Sequence, residues 1–146
     1  MALDPSFSTG FRNALLDGTD VTTMFDNGQL HIYSGTKPTD ADATEGAGTV
    51  LATVALPVSN AFAASASGGA IAKAGTWEDT SADASGTAAW FRLYDSNVTT
   101  GASTTAIRID GTVGVGASFD LDISSTSITA TDPVTVDTFS ISIAIT

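Results

Sequence analysis

Arg92 stands between Trp90 and Tyr94 in the run GTAAWFRLYDS, residues 86–96, within a chain made largely of Ala, Ser, Thr, Gly and Asp. Residues two apart on a strand share a face, so the guanidinium and both rings project together. Two chemistries use such a face. Flat rings with carboxylates nearby form a stacking platform for a sugar, and Trp77, Trp90 and Tyr94 would be its members. A guanidinium stacked on rings instead offers its planar fork to a carboxylate across a protein interface. With 5 cations against 16 acids, an aspartate of a sister subunit is a ready partner. Outer-face aromatics mark protein interfaces more often than glycan sites, and more often still pack beneath a neighbouring loop. Of the two chemistries the interface is preferred: Trp90, Arg92 and Tyr94 are expected to face a partner. Arg92→Ala is then expected to weaken assembly and leave the isolated fold intact.

The remaining candidates are better explained without chemistry. His31 is the single histidine, no carboxylate has strand or helical spacing to it, and it reads as a partly buried strand residue beside Tyr33 rather than a metal ligand. No G-x-S-x-G elbow occurs, so a Ser, His and acid triad is not indicated. Asp40, Asp42 and Glu45 offer oxygens for Ca²⁺ but lack the other ligands of an EF-hand loop, and a solvated acidic loop is expected. Glu78, Asp79 and Asp83 beside Trp77 are read in the same way. The glycines of GTVGVG, residues 111–116, are followed by alternating strand residues instead of a helix, which favours turns and bulges over a phosphate cradle. Catalytic, cofactor-binding and metal residues are therefore none, and an enzyme is not expected.

A net charge of −11 repels duplex nucleic acid and anionic membranes, and both drop out as partners. There are no cysteines, which excludes disulfide staples and thiolate zinc sites. The opening MALDPSFSTG has neither a basic n-region nor an apolar h-region, and no apolar run approaches the ~20 residues of a spanning helix. Synthesis in a cytoplasm without a signal sequence is expected. At 146 residues the chain is one domain in size and buries roughly 70% of its unfolded surface.

These residues must be positioned by sheets. Phe11, Ala14 and Leu15 have i, i+3, i+4 spacing, with Ser8 or Thr9 as N-cap and Gly18 as the stop, which predicts a single short helix in an N-terminal arm of about residues 1–27. From residue 29 the period becomes two. Leu30 and Ile32 point one way, His31 and Tyr33 the other, and in the GTAAWFRLYDS run Phe91 and Leu93 take the core side. Residues 36–49, with Pro, Gly and acids, predict a long exposed loop, and VLATVAL at 50–56 predicts a strand. Residues 59–86 carry no single period. Further on, Phe119, Leu121 and Ile123 alternate with Asp120 and Asp122, and Phe139, Ile141, Ile143 and Ile145 with Ser140, Ser142 and Ala144. Short strands at 8–12-residue spacing predict one all-β domain over 1–146, an antiparallel β-sandwich or jelly-roll-like pair of sheets.

The runs HIYSGTKPTDAD, GTVLATVAL, SGTAAWFRLYDS, RIDGTVG, DLDISSTSITA and VTVDTFSISI, in that order over residues 29–145, resemble a family of small virion structural proteins of tailed bacteriophages and prophages. The linked pair IYSGTKP and GTAAWFRLYD is the specific part. The resemblance brings no catalytic or cofactor residue with it. It implies a virion protein made in the host bacterial cytoplasm. A capsid decoration or cement protein on the head surface fits best, with the major capsid protein and sister subunits as partners in a homo-oligomer such as a trimer. A tail or neck component is the nearest alternative, and a carbohydrate-binding adsorption module a more distant one. On this reading Trp90, Arg92 and Tyr94 face a sister subunit or the shell.

Overall fold

The computed structural model describes residues 5–143. The chain opens with β1 (Ser6–Phe7) and helix α1 (Thr9–Leu16). Ser8 caps α1, its hydroxyl accepting from the Phe11 backbone N–H at 3.0 Å, and Gly18 turns the chain out at φ +87°. A second short helix, α2 (Val21–Met24), follows, capped by Asp20, so the expected single helix is a pair among the described residues. The charge on Asp20 is well matched to its cap, and the Thr22 backbone N–H holds its carboxyl below the usual range. The N-terminal segment is packed into the core: Phe11 is buried, stacked 4.9 Å from Phe7 and 5.9 Å from Phe25.

The strands are β2 (Gln29–Tyr33), β3 (Val50–Ala55), β4 (Ala70–Ala72), β5 (Glu78–Asp79), β6 (Gly86–Thr87), β7 (Trp90–Tyr94), β8 (Arg108–Gly114), β9 (Leu121–Ile123), β10 (Ser127–Ile128) and β11 (Val134–Ser142). Pairing runs β8, β7, β2, β3, β5, β11, and β9 joins β11 back to β8, which closes a seven-stranded barrel. The all-β class holds, whereas the sandwich or jelly roll is replaced by this closed barrel. Closure is possible because two long strands each serve several partners. β8 gives Ile109 and Asp110 to β1 and Val113 and Gly114 to β9, the latter in parallel, the one such pairing among the described residues. β11 gives Val134 and Thr135 to β5, Val136 to Phe139 to β9, and Ser140 to Ser142 to β4. A sheet closed on itself leaves few unpaired edges. β6 and β10 form a separate two-stranded ribbon.

The core holds Leu30, Ile32, Phe91, Leu93, Leu121, Ile123, Phe139 and Ile141, as the period-two reading expects, together with Ile109 and Val136. Phe91 meets Phe139 edge-on at 5.5 Å, and Phe62, Trp77 and Phe25 extend the aromatic column toward α1. Three details depart from simple alternation. Phe119, expected on the core face, is only half-buried and precedes β9, whereas Asp120 is buried and accepts from the Thr112 N–H at 2.8 Å and the Thr112 hydroxyl at 2.9 Å. In β11 the buried positions are 134 and 136 and then 139 and 141, because a register shift between Val136 and Thr138 changes the parity of the strand. Ile143 is exposed beyond the end of β11, and Ile145 lies outside the described residues. Gly111 and Gly114 are also not turn residues. They sit inside β8, where a Cβ on Gly111 would stand 2.6 Å from the Phe91 ring and one on Gly114 2.2 Å from the Phe119 ring.

Candidate functional site

Strands β2, β7 and β8 lie side by side, and their register sets the outer side chains in rows. His31 is opposite Arg92 and Arg92 opposite Asp110; Tyr33 is opposite Trp90; Gln29 is opposite Tyr94 and Tyr94 opposite Arg108. Trp90, Arg92 and Tyr94 share one face, as their spacing requires. That face is not open. All three residues are fully buried within the single chain, so the expected exposed interface is corrected: the chain's own loops cover the surface that gains from being covered. A shared sugar platform is corrected too, since Trp77 lies on the opposite, core side, buried with its indole N–H donating to the carbonyls of Ala61 at 3.2 Å and Ala74 at 3.1 Å.

The cover is the β2–β3 connection, residues 36–49, together with the connection between β7 and β8. The former is largely exposed, as expected of it, but it is also a strap fastened at several points. The Ala41 N–H donates to the Ser6 hydroxyl at 3.1 Å, and the Asp42 carboxylate receives the Thr9 N–H at 2.8 Å and the Thr9 hydroxyl at 2.6 Å, at the N-terminus of α1. The Asp42 carbonyl accepts from the Ser103 N–H at 2.8 Å, which ties the two loops together. Asp40 serves the strap's own turn, accepting from the N–H groups of Asp42 and Ala43.

Beneath the strap the guanidinium of Arg92 makes a bidentate pair with Asp110, Nε to Oδ1 and Nη2 to Oδ2 both at 2.7 Å. Its Nη1 reaches the Ala43 carbonyl at 2.9 Å and Glu45 Oε1 at 3.1 Å. Glu45 also receives the Tyr94 hydroxyl at 3.0 Å and the Gly101 N–H at 2.9 Å, and Arg108 Nη1 stands 3.7 Å away while donating to the Gly101 carbonyl at 2.8 Å. Two cations and two anions thus share one cluster, fully buried except at Glu45, which keeps a small exposed edge. Tyr33 stacks on Trp90 at 4.1 Å and its hydroxyl meets that of Tyr94 at 3.2 Å, while His31 Nδ1 lies 3.4 Å from Tyr33 Oη and His31 Nε2 3.0 Å from Gln29. The partly buried strand histidine beside Tyr33 is as the sequence leads one to expect.

Each ionisation follows from these neighbours. Burial works against the charge on Arg92, but the Asp110 fork more than restores it and holds the guanidinium protonated. Burial pushes Asp110 up, with Arg92 opposing. Burial also opposes the charge on Glu45, yet the Gly101 N–H, the Tyr94 hydroxyl and Arg92 together bring its carboxyl below the usual range. Burial and then the Tyr33 hydroxyl raise Tyr94, and burial lowers His31. Arg108 is lowered by burial and by the charge of Arg92. Three buried donor atoms, Trp90 Nε1, Arg108 Nε and Arg108 Nη2, have no partner among the described residues. Each such group costs about 1–3 kcal/mol.

Asp79 and Asp83 are local fasteners as well, receiving the Thr53 N–H at 2.9 Å and the Thr53 hydroxyl at 2.7 Å, while Glu78 is exposed. Sequence reasoning singled out Arg92 and Glu45 separately and missed their contact, and it passed over Arg108 and Asp110. The last two had a signal: charged residues two apart in RIDG, alternating with Ile109 and Gly111, imply a charged row on a strand.

The fold and this site define a closed β-barrel with an internally neutralised charge cluster under a fastened strap. No protein-family model matches the chain, and no curated protein or solved structure matches it either. No helix among the described residues is long and apolar enough to cross a membrane.

Proposed function

We propose that the chain is a structural virion protein of a tailed phage, a decoration or cement protein that binds the assembled head as a homo-oligomer and stabilises it. The observation that carries this reading is where the ionisable chemistry is spent. Arg92, Arg108, Asp110, Glu45 and Tyr94 all serve to fasten two loops onto a closed barrel, which is the economy of a part that must keep its shape under load. The resemblance of the runs HIYSGTKPTDAD and SGTAAWFRLYDS, in that order, to phage virion proteins supports the setting. With the strap closed, the surface offered to the head lies outside the sealed face, on an exterior that carries the net charge.

The test is co-sedimentation with separated heads and tails from virions lacking the protein, with copy number read from the pellet. Saturable binding to heads at a copy number set by local symmetry sites is expected. Binding to tails alone would overturn the head assignment and move the protein to the tail or neck.

A further inference from the structure

Glu45 sits in what is, feature by feature, a receptor for a carboxylate. Four donors from three separate segments converge on it: Arg92 Nη1 at 3.1 Å, Tyr94 Oη at 3.0 Å, Gly101 N at 2.9 Å and, more distantly, Arg108 Nη1 at 3.7 Å. Three of the donors belong to fully buried side chains on β7 and β8, the fourth is the backbone N–H of Gly101 in the β7–β8 connection, and Arg92 is locked in place by its fork to Asp110. The occupant belongs to the strap. Of the strap's 14 residues Ala41 alone is fully buried; the chain enters the strap through left-handed Gly35 (φ +83°) and turns again at Gly46 (φ +75°). Its hold on the barrel is therefore polar and local, of the kind that opens without unfolding the rest.

A second observation points to a ligand. Arg108 is fully buried, yet its Nε and Nη2 find no partner among the described residues, and Trp90 Nε1 is in the same state on the same face. The closed strap uses fewer hydrogen bonds than the face can give. We infer that residues 36–49 are an autoinhibitory cover, and that with the strap lifted the Arg92, Arg108 and Tyr94 face binds an acidic segment of a partner protein, whose carboxylate replaces that of Glu45. The inference goes beyond the virion reading and does not depend on it. The chain's overall negative charge does not forbid such a partner, because repulsion from distant surface charges is screened at physiological salt, whereas the receptor acts at contact range.

The experiment compares the parent with Glu45→Ala, using a labelled poly-glutamate peptide in fluorescence anisotropy and hydrogen exchange on the same samples. The variant is expected to show faster exchange over residues 36–49 and 96–106 with barrel strands unchanged. It should also bind the peptide at least about tenfold more tightly than the parent does, and acetate, but not chloride at equal ionic strength, should compete. Exchange unaltered in the strap would show that Glu45 is not its latch and would overturn the inference. So would an open strap with no gain in peptide binding, or equal binding of an oligonucleotide of the same charge. Should Glu45→Ala fail to fold, Glu45→Gln keeps the volume, removes the charge and carries the same comparison.

Discussion

Arg92 illustrates how a buried ion pair differs from a surface one. Its fork to Asp110 is completely shielded from water, so removing either partner strands a charge in a dry site, at a cost of about 3–5 kcal/mol. Arg92→Ala is thus expected to lower the free energy of unfolding by that order in urea melts, in place of the assembly defect with an intact fold that an exposed residue would give. Replacing both partners with apolar residues, Arg92→Met with Asp110→Leu, should cost less than either single change; a cycle in which the two losses simply add would refute the pairing. Packing makes a parallel demand at Gly111. A methyl group there would meet the Phe91 ring at 2.6 Å and Asp120 Cβ at 2.8 Å, so Gly111→Ala should destabilise by about 1–3 kcal/mol in the same assay.

Among the elements the strap carries its own response to acid. Asp42 and Glu45 both have carboxyls below their ordinary range, burial opposing and hydrogen bonds from Thr9 and from Gly101 and Tyr94 prevailing. Depressed carboxyls contribute stability above their unfolded values, about 4, and lose it as the pH falls through their folded ones. Protection from hydrogen exchange over 36–49, taken relative to the intrinsic rate at each pH, should fall below about pH 4 before the barrel opens. His31 adds an earlier limb. Burial lowers it, so its contribution is present above its unfolded value near 6.5 and declines as the pH falls below that. A melting temperature that begins to fall from about pH 6.5, with that limb absent in His31→Gln, is the expected outcome. The parity change in β11 belongs to this scale too. Without the extra residue at 137–138, Val134 and Val136 could not share the interior with Phe139 and Ile141.

For the whole molecule the arithmetic of charge is simple. The cluster consumes Arg92, Arg108, Asp110 and Glu45, which cancel, so 14 acids and 3 cations remain from 16 and 5, and the net −11 falls on the rest of the chain. That shell repels itself. Raising ionic strength from about 0.01 to about 0.15 M should therefore raise the melting temperature; a fall would mean that the surface pairs, not the repulsion, dominate.

Much of this was legible from residue order alone. Period-two alternation placed Leu30, Ile32, Phe91, Leu93, Leu121 and Ile123 inside and put Trp90, Arg92 and Tyr94 together on the other face, because a strand's geometry is local and fixes which side chains agree. The helix cap at Ser8 and the stop at Gly18 were equally local. What covers a face is a different kind of fact. Glu45 and Arg92 are 47 residues apart, the closure of β9 onto β8 and β11 depends on two long strands sharing partners, and the strap's descent depends on Thr9, Ser6 and Ser103 arriving from elsewhere. Composition marks residues 36–49 as polar, and polar loops are ordinarily solvated. Only the tertiary structure, by bringing two buried guanidinium groups within reach, turns this loop's carboxylate inward and seals the face.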